Sequence, residues 1–304
     1  MEKLDRDTLS SSEYTILEEL VRKIRSECPG QIQSRYISRI VAYQNELPKR
    51  IYEHFWSKKK PIIVSNLPQF EDIEDSKILL LILGETIGKC VAFSEYNQSY
   101  ITDIQPTPLS AEASSGTDVL GMHNDLAFAT DICRPAALVL VPHIADGTVP
   151  KTLIATAESV ISSLSPDVVD LLQQDIFEIR SGSKLRWPCE QVRRISVIDK
   201  DAEGRPRVRL NFDNIRPITK LDEEQSARAQ EALTTIAQEA LRIGRLGGHR
   251  ILKGEALFIP NDYCLHGRDT FENPECKRLL LRSYVLTQDM VDQQHGNTML
   301  SLRF

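Results

Sequence analysis

EALFIPNDYCLHGRDTF, residues 255–271, places an apolar strand before a polar turn and the pair His266-Gly267. Before it, EEQSARAQEALTTIAQEALRI (223–243) has the apolar spacing of an amphipathic helix, and Gly247-Gly248 predicts where that helix stops. After it, KRLLLRSYVL (277–286) has the composition of a further strand. The C-terminal part of the chain is therefore predicted to be one long helix followed by two strands.

Toward the N-terminus the chain changes repeatedly between helix and strand signals. Apolar residues from Ser10 to about Trp56 have helical spacing, with a break at Pro29-Gly30, and predict a helical flank. LLLILGETIGKCVAF (79–93) predicts a buried helix running into a strand, and TAESVISSLSPDVVDLLQQ (156–174) predicts a helix start at Ser165-Pro166. The remaining strand-like stretches are KKKPIIVSNLP (58–68), YITDIQP (100–106), GMHNDLAF (121–128), AALVLVPHI (136–144), QVRRISVID (191–199) and RPRVRLNFD (205–213).

Many short strands with helices packed outside them indicate a fold class. The pattern favours a mixed α/β, mainly β fold: a double-stranded β-helix, or jelly-roll, core with flanking helices. Because such folds often exceed 200 residues as one unit, we expect a single domain over residues 1–304, with the helical flank over about 1–57.

Composition narrows the classes of function. The formal net charge is −6, so no basic field would attract nucleic acid. The six cysteines form no CxxC pair, which argues against a thiolate zinc site and a disulfide framework. The polar N-terminus lacks the apolar core of an export signal, and no apolar run reaches the ~20 residues needed to span a bilayer. We therefore expect a cytoplasmic protein with a small-molecule substrate and neither a nucleic-acid nor a membrane partner.

Three separated side chains form a candidate metal centre. Non-haem iron(II) oxygenases use two histidines and one carboxylate on one face of the metal, leaving positions open for co-substrate and dioxygen. His123 and Asp125 form an HxD pair, and residues i and i+2 of a strand point to the same side. His266 follows Asp125 by 141 residues, which suits a site closed across a barrel. HxD alone is a weak motif, so the prediction depends on the distal histidine.

Arg278 supplies a candidate anion site twelve residues after His266. The co-substrate 2-oxoglutarate needs a cation for its distal carboxylate, and a guanidinium can bind that carboxylate through two parallel hydrogen bonds. Alternation in KRLLLR places Arg278 and Arg282 on one face of the strand. Taken alone, the two arginines would better suit a charged outer face of an edge strand, and only their combination with HxD and a distal histidine favours the anion site.

With these residues in order, the chain resembles the clavaminate synthase-like and taurine dioxygenase-like iron(II)/2-oxoglutarate oxygenases. The resemblance covers roughly residues 61–286 and is most specific at LGMHNDLAF (120–128), VPKTLIA (149–155) and PNDYCLHGRDTF…KRLLLRSYV (260–285). It implies Fe(2+) as the metal, 2-oxoglutarate and O2 as co-substrates, and hydroxylation of an unactivated C–H bond.

The resemblance also implies roles for single residues. Thr152, 29 residues after His123, matches a threonine whose hydroxyl helps to hold 2-oxoglutarate, and Arg278 matches the arginine that pairs with its distal carboxylate. Arg282 lies where relatives place a second inward arginine, near the co-substrate or an acidic group of the substrate. The C-terminal motif favours the clavaminate-like branch, whose members hydroxylate free or carrier-linked amino acids, although that branch commonly has HxE where this chain has Asp125.

Two further residues are candidates for substrate binding in that branch. Gln98 lies in SEYNQSYITDIQP (94–106) and would bind an amino-acid backbone; Asp213 lies in RLNFDNIRP (209–217) and would bind a cationic side chain. The alternatives are a solvated loop for Gln98 and a turn pair for Asp213.

Three other functions stay open from the sequence. One is a dioxygenase acting on a sulfonate or other small acid, with Arg282 holding the anion. A second is a jelly-roll protein that binds metal or ligand without turnover. A third is zinc hydrolysis, for which the sequence offers no comparably clear catalytic glutamate.

Overall fold

The structure of the protein is a computed structural model that describes residues 4–28, 30, 33–43, 49–95, 98–106, 116–181, 191–273 and 276–302. Within these residues the helices are α1 Ser11–Glu27, α2 Gln33–Ala42, α3 Lys49–Lys58, α4 Ile73–Ile87, α5 Ala157–Ser162, α6 Pro166–Leu172, α7 Glu223–Gly247 and α8 Gln288–Asp292. The strands are β1 Asp5–Thr8, β2 Ile62–Ser65, β3 Lys89–Phe93, β4 Thr102–Ile104, β5 Leu120–His123, β6 Ala137–Ala145, β7 Thr152–Thr156, β8 Phe177–Arg180, β9 Val192–Ile195, β10 Ile198–Lys200, β11 Pro206–Val208, β12 Ile215–Pro217, β13 Glu255–Pro260, β14 Cys264–Arg268, β15 Arg278–Leu286 and β16 Met299–Leu300.

A large sheet forms the centre of this mixed α/β fold. Its strand order is β1-β2-β13-β6-β15-β3-β16, and β4 also pairs with β15. The pairs β1–β2 and β3–β16 are parallel, and the other neighbours in this sheet are antiparallel. A separate three-stranded sheet has the order β5-β14-β7 and is antiparallel throughout.

Alternation along the central strands explains how the large sheet is buried on both faces. In β13, Ala256 and Phe258 pack in the same apolar cluster as buried residues of helices α1–α4. Their neighbours Leu257 and Ile259 pack in a second cluster that includes residues of the three-stranded sheet. Because successive strand side chains point to opposite faces, one strand supplies both cores. The four N-terminal helices therefore cover one face of the large sheet, and its other face meets the small sheet.

Helix α7 covers the outer side of the small sheet. Met122 of β5 lies between two glycines there: a Cβ on Gly244 of α7 would lie 2.7 Å from the Met122 Cε, and one on Gly267 of β14 would lie 3.1 Å from its Sδ. The absence of side chains at both glycines lets helix and strand close around the methionine. This packing sets the position of β5 immediately before His123.

Local sequence signals explain most of the helix ends. Ser10 begins α1 with a capping box that includes Glu13, and Asp222 caps α7 by accepting a hydrogen bond from the Gln225 backbone N–H. Ser165 and the following proline begin α6, as predicted. Helix α7 runs to Gly247, one turn beyond the predicted amphipathic stretch and as far as the glycine pair that was expected to stop it.

The structure differs from the expectations in three local features. The N-terminal flank contains a strand, β1, which pairs in parallel with β2 and was not expected. The region 260–271 contains a strand of its own, β14, that carries His266. Strand β5 ends at His123, so Asp125 lies in the turn after the strand rather than on it. Among the described residues, no helix is long and apolar enough to cross a membrane.

Candidate metal centre

His123 and His266 face each other across two neighbouring strands. They are directly paired in the antiparallel register of β5 and β14, so their side chains project from the same face of the small sheet. Their ring centroids lie 4.5 Å apart. Two imidazoles that are 143 positions apart in the chain are therefore brought together by strand pairing alone.

Asp125 completes the cluster from a turn that is held by a buried asparagine. The Asp125 backbone N–H donates to the Asn261 Oδ1 at 3.0 Å, and the Asn261 Nδ2 donates back to the Asp125 carbonyl at 3.0 Å. Leu126, the next residue, has a φ of 50°, which turns the chain away after the ligand position. The turn thus replaces the predicted strand geometry and still directs the carboxylate to the two histidines.

The three side chains can share one ion. Their potential ligand atoms all lie within 4.8 Å of one another. The His123 Nε2 lies 3.3 Å from the Asp125 Oδ1, and the His266 Nε2 lies 3.7 Å from the Asp125 Oδ2. On the far side of its ring, the His123 Nδ1 lies 2.8 Å from the Gly121 carbonyl, which places the proton on Nδ1 and leaves Nε2 to bind a metal.

The charges within the cluster match a metal-binding state. Burial by itself would raise the pKa of the Asp125 carboxyl, but Arg282 and the two histidines hold that pKa well below its usual range. Burial, and then the neighbouring His123, lower the pKa of His266. The protein therefore presents an ionised carboxylate and an uncharged His266 imidazole, the forms that coordinate a divalent cation.

The pKa of His123 shifts in the opposite direction to that of His266. Burial lowers its pKa, but the hydrogen bond and the charge of Asp125 outweigh burial and raise it. Metal binding at this imidazole would therefore compete with a proton that Asp125 favours.

Arg282 lies against the metal cluster. Its Nη1 donates to the Asp125 Oδ2 at 2.9 Å, and its guanidinium stacks on the Tyr284 ring at 4.6 Å. Arg282 is 7% exposed, so this ion pair is almost fully removed from water. The guanidinium is in position to orient the ligand carboxylate, a contact that the sequence did not predict.

Arg278 occupies the same face of β15 as Arg282, closer to the strand's start. In the part of the chain that the structure describes, its guanidinium makes no ion pair and no hydrogen bond. Burial, and then the positive charge of nearby Arg268, lower the pKa of Arg278 to about 10. Two cations lie near each other, and one of them has no counter-charge among the residues that the structure describes; an incoming carboxylate would stabilise such a pair.

Arg268 is the residue of this site that sequence reasoning missed. It is 4% exposed and lies directly opposite Thr152 in the register of β14 and β7. It follows His266 by two positions in a strand, so the same alternation that placed Arg282 beside Arg278 could have found it. Thr152 is itself buried, and its backbone pairs with that of His249.

The two substrate candidates lie in different settings. Asp213 is exposed in a short 3₁₀ turn, Phe212–Asn214, directly after Asn211, whose backbone bridges to His123. Gln98 is exposed with a φ of 53°, and its side-chain amide donates to the Ser94 carbonyl at 3.3 Å. The structure thus connects Asp213 to the metal cluster through the backbone, whereas the Gln98 backbone and side-chain amides donate to Phe93 and Ser94, a few residues earlier in the chain.

The donor set fits a ferrous ion with a dicarboxylate beside it. Two imidazoles and one carboxylate form a facial triad, the arrangement that leaves metal positions open for other ligands. Arg278, four residues before Arg282 on β15, offers a guanidinium that has no ion-pair partner among the described residues. A divalent metal and an anionic co-substrate could therefore occupy the site together.

Comparisons with known proteins agree with this geometry. The sequence profile described as "Taurine catabolism dioxygenase TauD, TfdA family" matches residues 26–284. Among solved structures, an asparagine oxygenase in complex with Fe(II), 3-hydroxyasparagine and succinate is similar with a TM-score of 0.82 and 22% identity, covering 97% of this chain and 99% of that one.

A second similar structure is the non-heme iron oxygenase OrfP. Its complex with Fe, succinate and (3S)-hydroxy-L-Arg has a TM-score of 0.74 and 17% identity, covering 97% of this chain and 99% of that one. Its complex with Fe and alpha-ketoglutaric acid has a TM-score of 0.75 and 18% identity, covering 98% of each chain. At these identities the likeness establishes the fold. No curated protein sequence gives a significant match.

Proposed function

Because the chain belongs to the TauD/TfdA family of dioxygenases, we propose that it is an iron(II)/2-oxoglutarate-dependent enzyme that hydroxylates an unactivated C–H bond of a free L-amino acid or amino-acid derivative. The observation that carries this proposal is the convergence of His123, Asp125 and His266 within 4.8 Å. The guanidinium of Arg278, which has no ion-pair partner within the described residues, adds the anion site that the co-substrate requires.

In this proposal the two sheets are the halves of a double-stranded β-helix. The large sheet and the β5-β14-β7 sheet share one apolar cluster, as expected for two packed sheets of a jelly roll. The metal ligands then belong to the small sheet and to the turn that follows it. The rigid sheet positions two ligands, and the asparagine-held turn positions the third.

Each residue of the site has a role in this reaction. His123, Asp125 and His266 hold the ferrous ion, which supplies the oxidative chemistry with dioxygen and 2-oxoglutarate when bound. Arg278 binds the distal carboxylate of 2-oxoglutarate, and the Thr152 hydroxyl supports the same molecule. Arg282 keeps the Asp125 carboxylate ionised and oriented by donating to its Oδ2.

We assign the Asp213 carboxylate to substrate binding. It is exposed one turn away from the segment that bridges to His123, so a ligand bound to it would lie beside the metal cluster. A carboxylate there would attract the ammonium or guanidinium group of an amino acid. In the similar structures the bound ligands are hydroxylated asparagine and hydroxylated arginine, which are compatible with this chemistry. Gln98 is proposed as a second contact to the amino-acid backbone.

The same charges weigh against a sulfonate substrate. Asp213 would repel an anionic substrate, and Arg282, the candidate partner for a sulfonate, is already bound to Asp125. A binding protein without turnover would use the same metal ligands but would form no succinate. Both alternatives can be separated from the proposal by the following measurements.

Anaerobic titration of the protein with ferrous iron and then 2-oxoglutarate tests the metal and co-substrate sites. We expect the weak visible charge-transfer band of a chelated iron–2-oxoglutarate complex. Oxygen is then admitted with a panel of free amino acids and sulfonates, and succinate release is measured. Succinate stimulated by sulfonates alone contradicts the substrate class, and iron binding without succinate from any compound contradicts the activity.

Asp125→Ala should abolish both the charge-transfer band and iron-dependent succinate formation, because two imidazoles alone hold ferrous iron weakly. Asp103→Ala is the matched control, since Asp103 is an exposed aspartate on β4. The control variant should keep wild-type activity. Retained activity in a folded Asp125→Ala protein would refute the ligand assignment.

A further inference from the structure

Asn124, the residue between the two metal ligands of the HxD pair, is 1% exposed and directs its amide away from the metal. Its Nδ2 donates to the Asn261 carbonyl and, at 3.4 Å, to the Cys264 carbonyl. Both carbonyls belong to the segment that leads into β14 and therefore to His266. Asn124 thus connects the two parts of the metal site from behind.

The oxygen of the same side-chain amide binds the segment that carries Asp213, the residue proposed to contact the substrate. The Asn124 Oδ1 accepts a hydrogen bond from the Leu210 backbone N–H at 2.8 Å, and the Asn124 backbone N–H donates to the Leu210 carbonyl at 2.9 Å. Leu210 is three residues before Asp213 and is fully buried. The segment that carries Asp213 is therefore hydrogen-bonded to the turn that carries the metal ligand Asp125.

The chemistry of this position needs an amide. One side chain accepts a hydrogen bond from a backbone N–H at Oδ1 and donates to two backbone carbonyls at Nδ2, so the partners at both ends of the amide are backbone groups away from water. Leaving either partner unsatisfied in a buried site costs the full desolvation penalty of that group. No purely apolar side chain could join the three segments in this way.

We propose that Asn124 is a positioning residue that couples residues 209–214 to metal occupancy, so that filling the iron site orders the segment carrying Asp213. This inference rests on the proposed function, since it assigns Asp213 to the substrate. The coupling is reciprocal: a substrate bound at the segment must then tighten the metal complex by the same factor. Substrate binding and a competent metal centre would thereby favour each other.

Hydrogen–deuterium exchange of the full-length protein tests the coupling without a known substrate. Peptides that cover residues 209–217 are followed with and without ferrous iron and 2-oxoglutarate under anaerobic conditions. We expect the metal complex to slow exchange in these peptides roughly tenfold in the wild type, within the usual range of coupling between sites. Asn124→Ala, which removes all three hydrogen bonds of the side-chain amide, should largely abolish the slowing.

Two further variants separate coupling from general destabilisation. Asn124→Asp keeps the oxygen that accepts from Leu210 but replaces the Nδ2 donor by an oxygen that faces the Asn261 and Cys264 carbonyls, so the slowing at residues 209–217 should stay lost in it. Asn66→Asp is a surface control: it removes one amide-to-carbonyl hydrogen bond, to Leu9, far from the site in sequence, and should behave as wild type. The iron–2-oxoglutarate band of each variant shows whether its metal site is filled.

The outcomes distinguish this inference from the proposed function. Equal slowing in Asn124→Ala and wild type, or none in a metal-loaded wild type, overturns the coupling even if the enzyme is active. Slowing that depends on Asn124 supports it even if no amino acid stimulates succinate release, a result that would overturn the proposed substrate instead. With an active substrate, Asn124→Ala should raise its KM more than it lowers kcat.

Discussion

At Asp125 a single carboxylate is shared by the two histidines and by Arg282. Its Oδ2 lies 2.9 Å from the Arg282 Nη1 and 3.7 Å from the His266 Nε2. A ligand carboxylate that is already hydrogen-bonded loses less freedom when a metal arrives, because its orientation is fixed beforehand. The metal site is therefore largely preorganised by the protein.

Arg278→Gln should weaken 2-oxoglutarate binding by about tenfold to a hundredfold, because a hydrogen bond to a charged group contributes about 1.5–3 kcal/mol. The midpoint of unfolding should not fall, since Arg278 has no ion-pair partner among the described residues. Anaerobic titration and thermal unfolding measure the two effects.

Arg134→Gln is the matched control for Arg278→Gln. Arg134 is also buried, but its Nε donates to the Asp262 Oδ1 at 2.7 Å. Its replacement should therefore lower stability and leave 2-oxoglutarate affinity near the wild-type value. Unchanged affinity in Arg278→Gln would remove that residue from the co-substrate site.

Asp213→Asn should raise the KM of the preferred amino acid about tenfold or more, because the neutral amide no longer pairs with an ammonium or guanidinium group. Stability should not change, since the side chain is exposed. Asp103→Asn serves as the control of equal chemistry on an exposed strand residue, and equal KM values for both variants would contradict the assignment.

At the scale of elements, β14 is the strand that builds the site. It lies between β5 and β7, so that His266 faces His123 on one side and Arg268 faces Thr152 on the other. Close approach of β5 requires glycine at position 267, where a Cβ would lie 2.6 Å from the Leu120 carbonyl oxygen. The Leu120 carbonyl belongs to the paired backbone of β5, so it cannot move aside as the end of a flexible side chain could.

Gly267→Ala should therefore destabilise the protein by about 1–3 kcal/mol, the usual cost of overpacking. It should also weaken iron binding, because the strand that shifts carries His266. Urea unfolding and iron titration measure both changes. Gly147→Ala is the control, since a Cβ there would have no heavy atom within 4 Å; similar unfolding of the two variants would show that the crowding at Gly267 is tolerated.

At the scale of the whole molecule, a polar cluster ties distant parts of the chain to the turn before β14. The Lys59 Nζ donates to Asp201 at 2.9 Å, to Glu203 at 2.8 Å and to the Tyr263 hydroxyl at 3.1 Å. The Tyr263 hydroxyl donates to Asp201 at 2.8 Å. The end of the N-terminal helical layer, the β10–β11 hairpin and the β13–β14 turn therefore meet at one lysine.

This cluster predicts a pH dependence of stability. Burial opposes ionisation of Asp201, but hydrogen bonds from Lys59, the Arg205 backbone and Tyr263 lower its pKa below the ordinary value of 3.8. The folded protein then binds fewer protons at Asp201 than the unfolded chain does as the pH falls below that value. The stabilisation is complete above about pH 4 and is lost as the pH falls toward the lowered pKa.

Urea unfolding at pH 7 and near pH 3 should show this loss. Asp201→Asn should lower stability at pH 7, and the difference between variant and wild type should shrink near pH 3. Asp175→Asn is an exposed control that should give a small difference. A difference for Asp201→Asn that is the same at both pH values would show that Asp201 stabilises the fold by its turn hydrogen bonds and not by its charge.

Much of the fold and the metal triad could be predicted from the sequence. Periodicity predicted helix α7, the run from α4 into β3 and most of the strands, because burial of apolar faces imposes a period on each element. His123, Asp125 and His266 could be predicted because a facial triad needs specific residue types in a specific order. Arg278 could be predicted as an inward cation by simple alternation along β15.

The way in which remote segments meet depends on tertiary contacts. The exchange of hydrogen bonds between Asp125 and Asn261, the link from Asn124 to Leu210, and the contact of Arg282 with Asp125 join residues that are 86 to 157 positions apart. Such contacts leave no period in the sequence, since one buried polar side chain satisfies one remote backbone or carboxylate group. Periodic burial of apolar side chains determines the helices and strands of this protein. Hydrogen bonds and ion pairs between buried polar groups that are remote in sequence determine the metal site.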